Sequence, residues 1–426
     1  MTLCLALSAT TLHCGRRVVD GDFTAEALSF ETREPDGENQ NNNSVDEPGP
    51  GGNTSDNDNG NESNETPLFA CVDVTPPSLA TLEIRSTLEG TAESGFGAAL
   101  ALTGDHLIVG APEDGRFGIG AGAVYLYPLG VDGLDREAVQ ILGAAQASDG
   151  ASFGSAVVAQ SGWVFVSALP SANSDGSVLA FRQFNPGEPF QFVEAISVTD
   201  AEGFGRALAF DGESLFVGAR GAQGRVFVFA LPELEEVQLI EGETDESNFG
   251  RLVSAESGRI AIASEASVHV YQLTNSEFVR DHSRAASEAS AIALGDNVLF
   301  LGRTQVNDQL GEVTASLPDR SQRIDPIDES PRQRFGASIA VLPPVVAIGA
   351  THYDTINRDA GGAFVWVRRC VDGQFVAVAR AGGPTNRIFS GRSVALNTRW
   401  LGWSAPNSAQ VFIAALEGVD FATSEN

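Results

Sequence analysis

Short apolar runs broken by Gly, Asp and Asn turns follow one another along most of the chain, and their order repeats. In the first cycle, residues 98–102 are small and apolar, and Gly104-Asp105 makes a turn. Residues 107–109 form a second apolar run that closes in Gly110-Ala111-Pro112. Residues 122–127 alternate and are rich in aromatics, and residues 139–142 make a fourth, edge-like run. Short β-branched and aromatic stretches between turn formers favour strands. Each cycle therefore predicts four antiparallel strands.

A Phe-Gly dyad opens the cycles at Phe96-Gly97, Phe153-Gly154, Phe204-Gly205, Phe249-Gly250 and Phe335-Gly336. Two further cycles carry degenerate dyads, read as Glu288-Ala289 and Phe389-Ser390. The spacing is that of propeller blades, and a single blade cannot bury both faces without neighbours. The expectation is an all-β, seven-bladed propeller. The Phe fills the gap between blades, and its Gly allows close backbone approach. The last cycle stops after its third strand, while residues 79–90 precede the first dyad as a fourth strand should. This N-terminal strand is expected to complete the last blade and remove two open sheet edges.

Composition adds an address. The chain has 426 residues and a formal charge of -30, and every basic residue apart from His is Arg. Such a charge repels nucleic acid backbones and anionic headgroups. It fits a high-salt habitat and a GC-rich genome equally. Residues 2–12 are mostly apolar, too short to span a bilayer but suited to an export signal ending at Cys14, a candidate for lipidation. Lipid anchoring at Cys14, plain secretion, and a cytoplasmic protein with an apolar start all stay open. Residues 15–67 are dominated by Asn, Asp, Glu, Gly, Ser and Pro, and read as a disordered acidic tether. The propeller then spans 68–418, with a tail over 419–426. Cys71 and Cys370 both sit in Cys-Val-Asp, at corresponding ends of adjacent blades. They suit a disulfide that pins the closure in an oxidising compartment; two buried thiols are the alternative.

The paired Phe-Gly and Gly-Ala-Pro signals resemble the FG-GAP repeats of integrin α-chain propellers and their bacterial relatives, over about residues 79–416. The resemblance implies extracellular recognition or adhesion, and in many members a calcium loop between the first two strands. Here that turn is as short as residues 103–106, and one Asp cannot supply the six to eight oxygens calcium takes. No cofactor is expected; calcium enters only through the resemblance.

Candidate chemistry is sparse. His13, His106, His269, His282 and His352 form no metal-spaced pair, and His269, inside a strand, reads as packing. His352, Tyr353 and Asp354 are the best cluster, on a loop where propellers bind ligands. The four Trp read as core. The glycines around 118–122 precede a strand, so they are not a phosphate cradle, and no Gly-x-Ser-x-Gly elbow occurs. The expected function is a non-enzymatic, monomeric interaction module, secreted or anchored in the cell envelope. It binds a protein or glycan through one propeller face, and meets the membrane only through a lipid. A polysaccharide-acting hydrolase or lyase, or a structural envelope component, is the alternative.

Overall fold

A computed structural model of the chain describes residues 70–72, 74, 79–144, 149–169, 176–244, 246–327, 332–354 and 358–416. The expectations for Cys14, the tether over 15–67 and the tail over 419–426 lie outside these residues. The described strands form seven sheets, each built on four antiparallel strands that run in sequence order in six blades; in blade 7 the fourth strand comes from the N-terminal side of the ring. Blade 1 is built from Ala99–Leu102, His106–Ala111, Ala123–Gly130 and Gln140–Leu142. Blades 2 to 7 open at Val157, Phe204, Leu252, Ala291, Phe335 and Val394. Each first strand touches the first strands of both neighbouring blades, including blade 7 against blade 1. The first strands therefore stand innermost around an axis. Second and third strands are almost wholly buried, whereas a fourth strand such as Gln191–Ile196 is largely exposed.

The Phe-Gly dyad is the joint between blades. The rings of Phe96, Phe153, Phe204, Phe249 and Phe335 are all fully buried. Burying such a ring is worth about 1.5–3 kcal/mol. Gly154 holds φ 96°, a conformation glycine adopts freely, and its N–H donates to Ser167 O at 2.9 Å within its own blade. Its carbonyl faces the preceding blade, where a Cβ on Gly110 would run into Gly154 O. The same clash would occur for Gly218 against Gly250 O and Gly349 against Gly391 O. The small residue of Gly-Ala-Pro is thus required by the next blade's dyad rather than by crowding at the axis. Where Ser167 replaces that Gly, its hydroxyl donates to Gly205 O.

The two degenerate dyads lie one residue later than the sequence reading placed them. Ser290 N donates to Gly302 O at 2.8 Å and Gly391 N to Ser404 O at 2.8 Å, the bond that Gly97 and Gly154 make in their blades. The dyads of blades 5 and 7 are therefore Ala289-Ser290 and Ser390-Gly391. The backbone confirms this register. The residue before every dyad (Gly95, Ser152, Gly203, Asn248, Glu288, Arg334, Phe389) is left-handed, with φ between 48° and 69°. Aromatic character at Phe389 misled the sequence reading, because that ring belongs to the turn and not to the joint.

Ile84–Glu89 pairs antiparallel with Gln410–Ala415 and completes blade 7, closing the ring as expected. The N-terminal segment also does something unforeseen. Ala80–Thr81 lies parallel to the outer strand of blade 6, Phe375–Gly382, as a fifth strand. Cys71 and Cys370 are disulfide-bonded, with Cα atoms 4.9 Å apart and a sequence separation of 299. A second lock was not foreseen. Gln140, Gln238 and Gln322 on outer strands each bond both backbone groups of a Phe in the next blade: Phe190, Phe278 and Phe375.

Candidate functional site

The two faces of the ring differ. One carries the first-to-second and third-to-fourth hairpin turns, which are locally satisfied. Asp211 accepts from the N–H groups of Glu213 and Ser214, and Asn397 from those of Arg399 and Trp400. In the turn at residues 103–106, Thr103 Oγ1 donates to Asp105 and accepts from His106 N. This turn face also receives both ends of the described chain. Ala70 N donates to Asp296 Oδ2 at 2.7 Å, in the hairpin of blade 5, and burial raises the pKa of that carboxyl. Val72 then bridges Arg369, beside the disulfide, in blade 6. At the other end, Leu416 N donates to Arg399 O at 2.9 Å.

The opposite face, which holds the dyads, is made of the loops after each second strand and the connectors into each first strand. In blade 1 this loop is built on a buried carboxylate. Asp114 is 3% exposed, accepts from Tyr125 Oη at 2.5 Å and from Arg116 N at 2.9 Å, and pairs with the Arg116 guanidinium. Burial, then Asp114, raises the pKa of the Tyr125 hydroxyl. The tip of the loop leaves Ile119 82% and Phe117 45% exposed.

Between blades 6 and 7 this face gathers the residues singled out in the sequence. His352 is half-buried, its Nδ1 is 2.9 Å from Thr351 Oγ1, and its ring packs on Phe389 at 4.7 Å. Burial first, and then the Arg334 charge, hold its pKa below the ordinary 6.5, so the imidazole is neutral at neutral pH. Tyr353 is only 1% exposed; its hydroxyl accepts from Arg380 inside the blade 6 core and does not reach the surface. Asp354 is exposed and accepts from Asp359 N. The fold adds residues that sequence proximity could not bring in. Arg387 N donates to Arg358 O at 2.8 Å, and Arg358 N to Asn386 Oδ1 at 2.7 Å, so the connector that carries Phe389 against His352 also brings Arg387 to Arg358; both side chains are exposed, and Arg358 pairs with Asp359 at 3.7 Å. The loop after a second strand and the connector of the next blade always meet at a joint, so the repeat register itself was the usable signal. Among the described residues, no three His, Cys, Asp or Glu side chains converge as a metal ion would require.

Comparison with known proteins agrees with this architecture. The family signature of the FG-GAP repeat matches residues 88–127, which hold the closing strand's end, the first dyad and Gly110-Ala111-Pro112. The other blades repeat the same joint in register. The chain carries an FG-GAP repeat in a seven-bladed propeller. A search of curated proteins finds no match. In fold, this propeller resembles a chain in the crystal structure of the mitotic checkpoint complex, at 13% identity and a TM-score of 0.54, over 82% of this chain and 97% of that one. It also resembles the Pan2 WD40 domain of Neurospora crassa, at 10% identity and a TM-score of 0.50, over 79% and 97%. At these identities the likeness speaks for the fold alone.

Proposed function

We propose that this propeller is an interaction module that binds a protein or glycan through its dyad face, outside the cytoplasm. The observation that carries the reading is the placement of the chain ends. Ala70 and Leu416, the outermost described residues, both bond to hairpins of the turn face, so neither described end covers the dyad face. That face presents features a partner can use: the apolar tip at Phe117 and Ile119, and the exposed Arg358 and Arg387 at the joint between blades 6 and 7. Guanidiniums suit carboxylate or sulfate groups, and in a chain of net charge -30 they select anionic patches only at short range. The Cys71–Cys370 bond supports an oxidising location, and an export signal with lipidation at Cys14 would supply the route.

The test is capture by the immobilised full chain from envelope extract and from acidic polysaccharide. Saturable binding is expected, reduced at least about tenfold in an Arg358→Glu/Arg387→Glu double variant, since each close charge pair contributes on the order of 1 kcal/mol or more. Capture that is unaltered by the double variant contradicts the placement of the site.

A further inference from the structure

Blade 4 places an imidazole, a serine and a carboxylate in contact where blades 1, 3 and 6 have an aromatic ring. In its third strand, Ser267–Thr274, the His269 side chain is about 5% exposed. His269 stands opposite Ser283 of the fourth strand, Glu277–Ala285, and its Nδ1 is 2.7 Å from Ser283 Oγ. Its Nε2 is 2.5 Å from Glu246 Oε1, on the connector from blade 3. The dyad ring of Phe249 packs on the imidazole at 5.8 Å and holds its plane. Serine, imidazole and carboxylate are thus in line, and Ser283 is exposed.

The other blades show what packing alone asks of this position. The residue corresponding to His269 is Tyr125, Phe227 or Phe364 in blades 1, 3 and 6, each ring packed on its own dyad Phe at 5.2 to 5.7 Å. Their cross-strand partners are Ile141, Leu239 and Arg380. A ring satisfies the joint; a serine beside it and a carboxylate behind it do not follow from packing. Chemistry sets the roles. An ionised carboxylate only accepts, so Glu246 keeps the imidazole proton on Nε2. Nδ1 is then the free base, and it receives the Ser283 hydroxyl.

We propose that Ser283 is a nucleophile activated by His269 and oriented through Glu246, and that it attacks carboxylic esters. These three residues open on a cleft of about 530 Å³, whose lining also includes Arg280 in an ion pair with Glu243. In the first step the Ser283 Oγ–carbonyl bond forms and the hydroxyl proton moves to His269 Nδ1. The ester C–O bond then breaks, the leaving alkoxide takes that proton, and an acyl-serine remains. Water repeats the sequence in reverse roles and releases the acid. Glu246 stabilises the transient imidazolium, and the Arg280 cation faces the developing oxyanion. Ser283 touches the substrate; Glu246 acts through His269 and is a positioning residue.

The test uses the full chain, a fluorophosphonate probe and intact-mass measurement, with p-nitrophenyl acetate turnover alongside. One adduct is expected, on the peptide that holds Ser283. Its rate should exceed that of the urea-unfolded chain by about 100-fold or more, the usual reach of general-base assistance. Ser283→Ala should abolish it. Glu246→Gln should slow it at least about tenfold while the melting temperature of the Ser283→Ala protein stays that of the parent. Absence of an adduct at Ser283, or labelling at the rate of the unfolded chain, overturns the proposal. If Glu246→Gln fails to fold, the Ser283→Ala and unfolded-chain arms decide alone.

Discussion

At the scale of single residues, the account rests on backbone crowding at the joints. Gly110 and Gly104 belong to the same blade and make opposite demands. A Cβ on Gly110 would strike the Gly154 carbonyl of the next blade, whereas one on Gly104 would meet nothing within 4 Å. Gly110→Ala must shift backbone against backbone. It should destabilise the protein by about 3 kcal/mol, at the upper end of overpacking costs. Gly104→Ala should be neutral or stabilise by a few tenths of a kcal/mol, since it only restricts the unfolded chain. Urea unfolding midpoints of the two variants check this pair. The five intact dyads were legible in the sequence because Phe next to Gly is conspicuous. Ala289-Ser290 and Ser390-Gly391 were not, because what they preserve is a left-handed residue followed by a backbone hydrogen bond. Neither leaves a mark in side-chain type. His269 was legible as a strand residue, but its partner Glu246 comes from a different blade's connector, and only the fold brings them together.

At the scale of elements, the N-terminal segment carries more than one strand's duty. The sequence reading assigned residues 79–90 to a single closing strand. Instead the segment crosses the turn face, adds Ala80–Thr81 to blade 6 and only then enters blade 7 as Ile84–Glu89. Leu82, 8% exposed, marks the crossover, with its N–H on Arg380 O. A two-residue parallel pairing has no hydrophobic period, which is why it could not be read in advance. The disulfide was foreseen from matching Cys contexts, and it fastens this strap to blade 6. Closing so long a loop limits the unfolded chain, and chain-entropy reasoning puts the stabilisation at about 4–5 kcal/mol. Reduction, or Cys71→Ser with Cys370→Ser, should lower the unfolding free energy by up to that amount and leave the far-ultraviolet spectrum of the folded state unchanged. An unaltered midpoint under reducing conditions contradicts the role given to the bond.

At the scale of the whole molecule, seven joints of one kind make a ring with no natural first blade. The fold class and blade number could be read from the repeat because every blade restates the same pattern. The binding surface could not. His352 and Asp354 were found by residue type, but Tyr353 turned out to be core, and the neighbouring Arg387 arrives from the connector of another blade. The arrangement of the ring bears directly on function. Both ends of the described chain lie on the turn face, and a rigid ring is needed to keep the dyad-face loops in place. If the ring is one cooperative unit closed by Ile84–Glu89, damage to that strand must reach every blade. Leu88 is 4% exposed and packs with the Phe96 and Val411 cluster of the closure. The decisive measurement is urea unfolding of Leu88→Asp, followed by hydrogen exchange across all seven blades. Truncating such a residue costs about 2–5 kcal/mol, and a buried charge costs more. The account predicts a single transition at a lower midpoint, with protection lost together in blades 2 to 5 as well as in blades 7 and 1. Loss confined to blades 7 and 1, with blades 2 to 5 as protected as in the parent, would contradict it.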